Sequence, residues 1–167
     1  MALEKPVHRA LASTLTLAVV VVAGCHQTDR SEDASGIYEQ VQGHYGGYDD
    51  TLFVARAAGV NYLDVVSRCL WRDPEAMHTL FWLSKHAGFD AASAEGHAGV
   101  LHDVLRDVGE RFYARCLDAE PENVRNAVRS DLLYDMGWGE CKKFSVIQQL
   151  WPKVFPQGYD PYRVSED

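Results

Sequence analysis

Seven histidines, four cysteines and a scatter of serines and acids are the residues here that could do chemistry, and their spacing decides which. No HExxH pair is present. His97 and His102 stand five apart, so on a helix they diverge by about 140° and share no face. His102 and Asp103 are adjacent, and adjacent helical side chains point apart. His78, His86 and His102 would form a site only if the fold brought them into one cleft. There is no CxxC and no Cys/His zinc spacing, so no metal is expected. Ser67, Ser84, Ser93, Ser130 and Ser145 sit in neither a GxSxG elbow nor an SxxK motif. Asp73 and Glu75 read as helix-capping acids, and Asp131 and Asp135, one turn apart, as a solvated face. Gly46-Gly47 and the glycines around Trp138 lack the Lys/Ser pattern of a phosphate loop. No catalytic residue and no cofactor is assigned on these patterns.

The aromatic residues are the other candidates. Tyr38, Tyr45 and Tyr48 cluster ahead of the first strong helix. Trp138, Trp151, Phe155, Tyr159 and Tyr162 gather at the C-terminal end among prolines and glycines. Trp and Tyr are enriched at binding hot spots, which makes Tyr45, Tyr48, Trp138, Trp151 and Tyr159 the candidate binding residues. The competing reading is that these segments fold back and cap the ends of a helical stack, whose core would otherwise be open.

The elements that position such residues begin after an export signal. Lys5 and Arg9 are basic, and Ala10 to Ala23 is apolar or small, too short a run for a permanent membrane span. It ends in Val22-Ala23-Gly24-Cys25, which resembles the lipobox of bacterial lipoproteins. The resemblance implies cleavage after Gly24, lipidation of Cys25, and export from the cytoplasm. His26 rather than Asp after the cysteine implies the outer membrane rather than the inner. Several acyl chains would make the anchor stable, where one chain binds only marginally. Residues 25–36 are polar and read as a flexible tether, followed by one domain over 37–167 with an aromatic, proline-rich tail from about 152.

Cleavage removes one acid (Glu4) and two bases (Lys5, Arg9), so a net charge of −8 becomes −9. An acidic chain without a basic run argues against nucleic acid and against an electrostatic hold on anionic lipid. It would suit a basic partner, or simply confer solubility.

Within the domain the apolar residues fall at helical spacing. Asp49-Asp50 reads as an N-cap for a helix over 51–58. Tyr62, Val65, Val66, Cys69 and Leu70 form one stripe, and Val100, Leu101, Val104, Leu105 and Val108 another. Asp73-Pro74-Glu75 opens a helix that Gly88 closes, Asp90 caps the next, and Gly109 ends it. A last helix is expected from about Cys141 to Trp151. The fold class is all-α, either a helical-hairpin array or an irregular helical bundle.

The stretch "RCLWRDPE" at Arg68–Glu75 recurs as "RCLDAEPE" at Arg115–Glu122, 47 positions on, with five identities. With its matched apolar positions, this resembles the α-hairpin repeats of HEAT and armadillo proteins, at the upper end of their length range. Equivalent positions in stacked repeats would lie about 10 Å apart, too far for a disulfide, so Cys69 and Cys116 read as buried apolar residues. Stacked hairpins would present an elongated surface, and the expected function is a protein-interaction module, one form being a protective lipoprotein that binds a toxin. The alternative is an envelope enzyme or binder acting on peptidoglycan or lipid.

Overall fold

The computed structural model describes residues 30–137 and 144–161, which form eight helices and no strand. They are α1 (Arg30–Tyr45), α2 (Asp49–Ala57), α3 (Tyr62–Leu70), α4 (Pro74–His86), α5 (Ala91–Val108), α6 (Glu110–Asp118), α7 (Glu122–Asp135) and α8 (Phe144–Leu150). The domain is an all-α bundle. Cys25, the signal segment, Trp138 and Cys141 lie outside the described residues. No described helix is long and apolar enough to cross a membrane.

α5 is the central strut. It packs on α7, α2, α3 and α6, while α4 packs on α3, α7 and α6, and α1 lies on α3. The stripes explain this. Val65, Val66 and Cys69 of α3, Met77, Leu80 and Phe81 of α4, and Val100, Leu101, Val104 and Leu105 of α5 are all buried. The capping signals act as their residue types require. The Asp73 carboxylate accepts from the Glu75 and Ala76 amides (2.9 and 3.4 Å) with Pro74 in the first turn. Ser93 accepts from the Asp90 amide at 2.8 Å, and Gly88 and Gly109 take the positive φ that ends a helix.

Three boundaries differ from the sequence expectation. Residues 30–36, assigned to the tether, are the first turns of α1: no proline interrupts 30–45, and Val41 and Tyr45 anchor the far end in the core, so each added turn needs no new nucleation. α2 starts at Asp49 with Tyr48 as its cap residue, so Asp49 and Asp50 are first-turn acids and not the cap. The tail expected from about residue 152 is instead part of the packed domain over its described residues. Val154 and Phe155 are wholly buried, and Arg129 donates to the Val154 carbonyl at 2.8 Å. Large apolar side chains gain by leaving water, and the arginine bond satisfies a backbone carbonyl that burial would otherwise orphan.

The sequence repeat places equivalent helices at α3/α6 and α4/α7. α3 packs on α4, whereas α6 packs chiefly on α4 and α5, so the second copy is embedded differently from the first. Cys69 and Cys116 are both free and buried, and burial pushes both thiols up.

At the centre Tyr113 packs edge-on against Phe81, centroids 4.9 Å apart. Its hydroxyl is wholly buried with no hydrogen-bond partner among the described residues, the kind of group that costs stability. Tyr113→Phe should raise the unfolding free energy by about 1 kcal/mol in urea denaturation. A loss of that size would reveal a partner for the hydroxyl.

Candidate functional site

Among the described residues, the surface with the most exposed aromatic side chain is built where α2 starts against the first half of α5. Gly96 makes this approach possible: a Cβ there would collide with Thr51 Oγ1 and crowd the Tyr48 ring. Buried Thr51 donates to the Ser93 carbonyl at 3.0 Å, locking the two helices together. The resulting cleft, about 550 Å3, is lined by Tyr48, Asp49, Asp50, Thr51, Glu95 and Gly96. Asp49 and Asp50 also line a second hollow of about 370 Å3 with Leu52, Phe53 and Arg56. The Phe53 side chain stands 71 % exposed, and Tyr134, also exposed, donates to Glu95 at 2.8 Å.

Of the two N-terminal candidates, Tyr48 is on this surface and Tyr45 beneath it. Tyr45 is 6 % exposed, donates to Asp103 at 3.0 Å, and supports Tyr48 edge-on at 5.7 Å. Burial first, then the Asp103 charge, pushes the Tyr45 phenol well up, so it stays neutral. Arg106 holds the other oxygen of Asp103 (2.7 Å), and His44 lies 3.6 Å from the oxygen that Tyr45 bonds. The two C-terminal candidates among the described residues, Trp151 and Tyr159, serve the core. Trp151 packs against it, half-buried, and Tyr159 packs with Phe144 and Phe155 while Arg129 sits 5.1 Å from its ring centroid. The structure therefore does not bring Trp151 or Tyr159 together with Tyr48.

The histidines do not converge. His78 bonds Glu120 at 2.8 Å, His102 bonds Asp135 at 2.6 Å, and His86 stacks on Trp82. Among the described residues no group of three or more His, Cys, Asp or Glu side chains could hold a metal ion.

What sequence reasoning missed is a polar chain through the core. His97, 1 % exposed, is bonded at Nδ1 to the Tyr62 hydroxyl (2.8 Å) and at Nε2 to Ser84 (2.9 Å), and Ser84 bonds Asp131. Phe89 stacks over the imidazole at 4.4 Å. Burial drives the imidazole down to about 3, so it is neutral and has one donor and one acceptor. One polarity satisfies every group: Tyr62 donates to Nδ1, Nε2–H donates to Ser84, and Ser84 donates to Asp131. Burial lifts the Asp131 carboxyl to about 7, against the Ser84 bond that pulls it down. The serine hydroxyl thus points its proton at a carboxyl oxygen of Asp131 and not at the imidazole, the reverse of a nucleophile activated by a base.

The acidic, aromatic α2–α5 face has a different capacity. Carboxylates beside aromatic rings offer ion pairs and cation–π contacts to arginine and lysine side chains. Comparison with family models, characterised proteins and solved structures finds no match to this chain.

Proposed function

We propose that this chain is a lipoprotein anchored through Cys25 in the outer membrane, with a periplasmic helical bundle that binds a basic protein partner through the α2–α5 face. The observation that carries the reading is the exposed Phe53 ring beside Asp49 and Asp50, next to a cleft that Glu95 also lines. A solvated aromatic anchor with an acidic rim is the composition of a hot spot for a cationic surface, and the net charge of −8 on the chain favours the same encounter. Neutralising a cationic toxin in the periplasm is one concrete form of this role. The rival reading, an enzyme or binder acting on peptidoglycan or lipid, needs histidines or acids gathered in one pocket; His78, His86 and His102 each hold a separate neighbour instead.

Two experiments test the two halves. Cys25→Ser should move the protein from the membrane to the soluble envelope fraction; a variant that stays on the membrane contradicts lipid anchoring. Affinity capture with the full chain should return a stoichiometric basic partner that a Phe53→Glu bait fails to hold. A partner retained equally by both baits argues against this face.

A further inference from the structure

The chain has no basic run, yet the fold gathers three arginines around one cavity. Arg72 comes from the α3–α4 turn, and Arg111 and Arg115 from successive turns of α6. The cavity, about 600 Å3, also takes in Val108, Glu110 and Phe112, a size suited to a small molecule. It lies toward the C-terminal end of α5. Residues 96 and 108 of that helix are about 18 Å apart along its axis, so this cavity is separate from the acidic cleft.

Several features mark it as a prepared anion site. Among the described residues, Arg72, Arg111 and Arg115 form no ion pair, while Arg68 and Arg106 each hold carboxylates. Arg111 and Arg115 are one helical turn apart, a like-charge pair that weakens a helix unless something neutralises it. The guanidinium of Arg115 sits 5.3 Å from the Phe112 ring centroid, which holds it in place. Glu110, the acid in the lining, has a carboxylate oxygen engaged by the Lys153 amide.

Arg72 adds an independent observation. The turn is closed by bonds from the Arg72 amide to the Cys69 carbonyl (2.8 Å) and from the Asp73 amide to the Arg68 carbonyl (3.1 Å). That geometry needs a left-handed residue, usually glycine, and Arg72 adopts it with φ 58°, the one described non-glycine residue at positive φ. A side chain kept at a strained position that glycine would fill without cost points to a use for the side chain.

We propose that Arg72, Arg111 and Arg115 bind a phosphate group, carried either by a small soluble phosphate ester or by a lipid headgroup. Guanidinium forks match phosphate oxygens in pairs, and the space beyond, against Val108 and Phe112, accommodates the organic part.

The test uses the full chain in neutral-detergent micelles. Pyrophosphate is titrated calorimetrically against sodium chloride of equal ionic strength, and in a second arm the micelles carry phosphatidylglycerol. Binding of pyrophosphate that falls about tenfold or more in Arg111→Ala/Arg115→Ala supports the site with a soluble ligand. Binding confined to doped micelles and lost in the same variant supports it with a lipid source. Arg72→Gly guards against misfolding: it should raise Tm by a few degrees while weakening the same binding. Absence of binding in both arms, or affinities unchanged by the substitutions, overturns the proposal.

Discussion

Asp131→Asn is expected to turn a protein whose stability is nearly level between pH 4 and 6.5 into an acid-labile one. Two groups of the polar chain, buried His97 and half-buried Asp131, work against each other over that range. Native Asp131 keeps its proton up to about 7, whereas an unfolded aspartate releases it near 4. Its contribution is fully present below pH 4 and is lost as pH rises toward 7. Native His97 stays neutral down to about 3, whereas an unfolded histidine gains a proton below about 6.5. Its contribution is present above pH 6.5 and is lost as pH falls. Each slope is about 1.4 kcal/mol per pH unit, and between pH 4 and 6.5 they have opposite signs. Removing the Asp131 titration leaves that of His97 alone, a loss on the order of 3 kcal/mol across the interval. Urea unfolding at pH 4.5 and 6.5, on both proteins, reads this directly. A variant as level as the parent, or a parent already steep, contradicts the assignment of the two groups.

Phe53→Glu is expected to weaken partner binding by about 100-fold while leaving the bundle intact. Truncating a central aromatic anchor commonly costs about 2–4 kcal/mol, and the Phe53 ring, 71 % exposed, contributes little to the core. Asp49→Lys/Asp50→Lys should act differently, slowing association and flattening its salt dependence, because rim charges steer encounter more than they hold the complex. Binding kinetics over a salt series, on the partner recovered by affinity capture, separate the two effects. A Phe53→Glu variant with full affinity would remove the ring from the interface.

The parts legible in the sequence are those decided by neighbours along the chain. The stripes of α3 and α5 and the cap at Asp73 depend on spacings of a few residues, and they are where expected. The rest depends on contacts between distant residues. Tyr45 and Tyr48 look alike in sequence, but α1 packs on α3, and Tyr45 falls on its buried side while Tyr48 marks the turn that follows. Tyr62, Ser84, Asp131 and His97 are ordinary helical residues until three helices and α5 place them in one chain. Arg72 and Arg111 are 39 positions apart, so the arginine cavity leaves no basic run to notice. The C-terminal aromatics had two readings, and the burial of Phe155 and the packing of Tyr159 and Trp151 on the core are what the capping reading describes.

A photo-crosslinking amino acid placed at position 53 in living cells interrogates the interaction face most directly, with the also exposed position 150 on α8 as control. The account predicts a discrete adduct with one basic envelope protein from position 53 and none from position 150. No adduct at 53, or the same adduct from both positions, contradicts it.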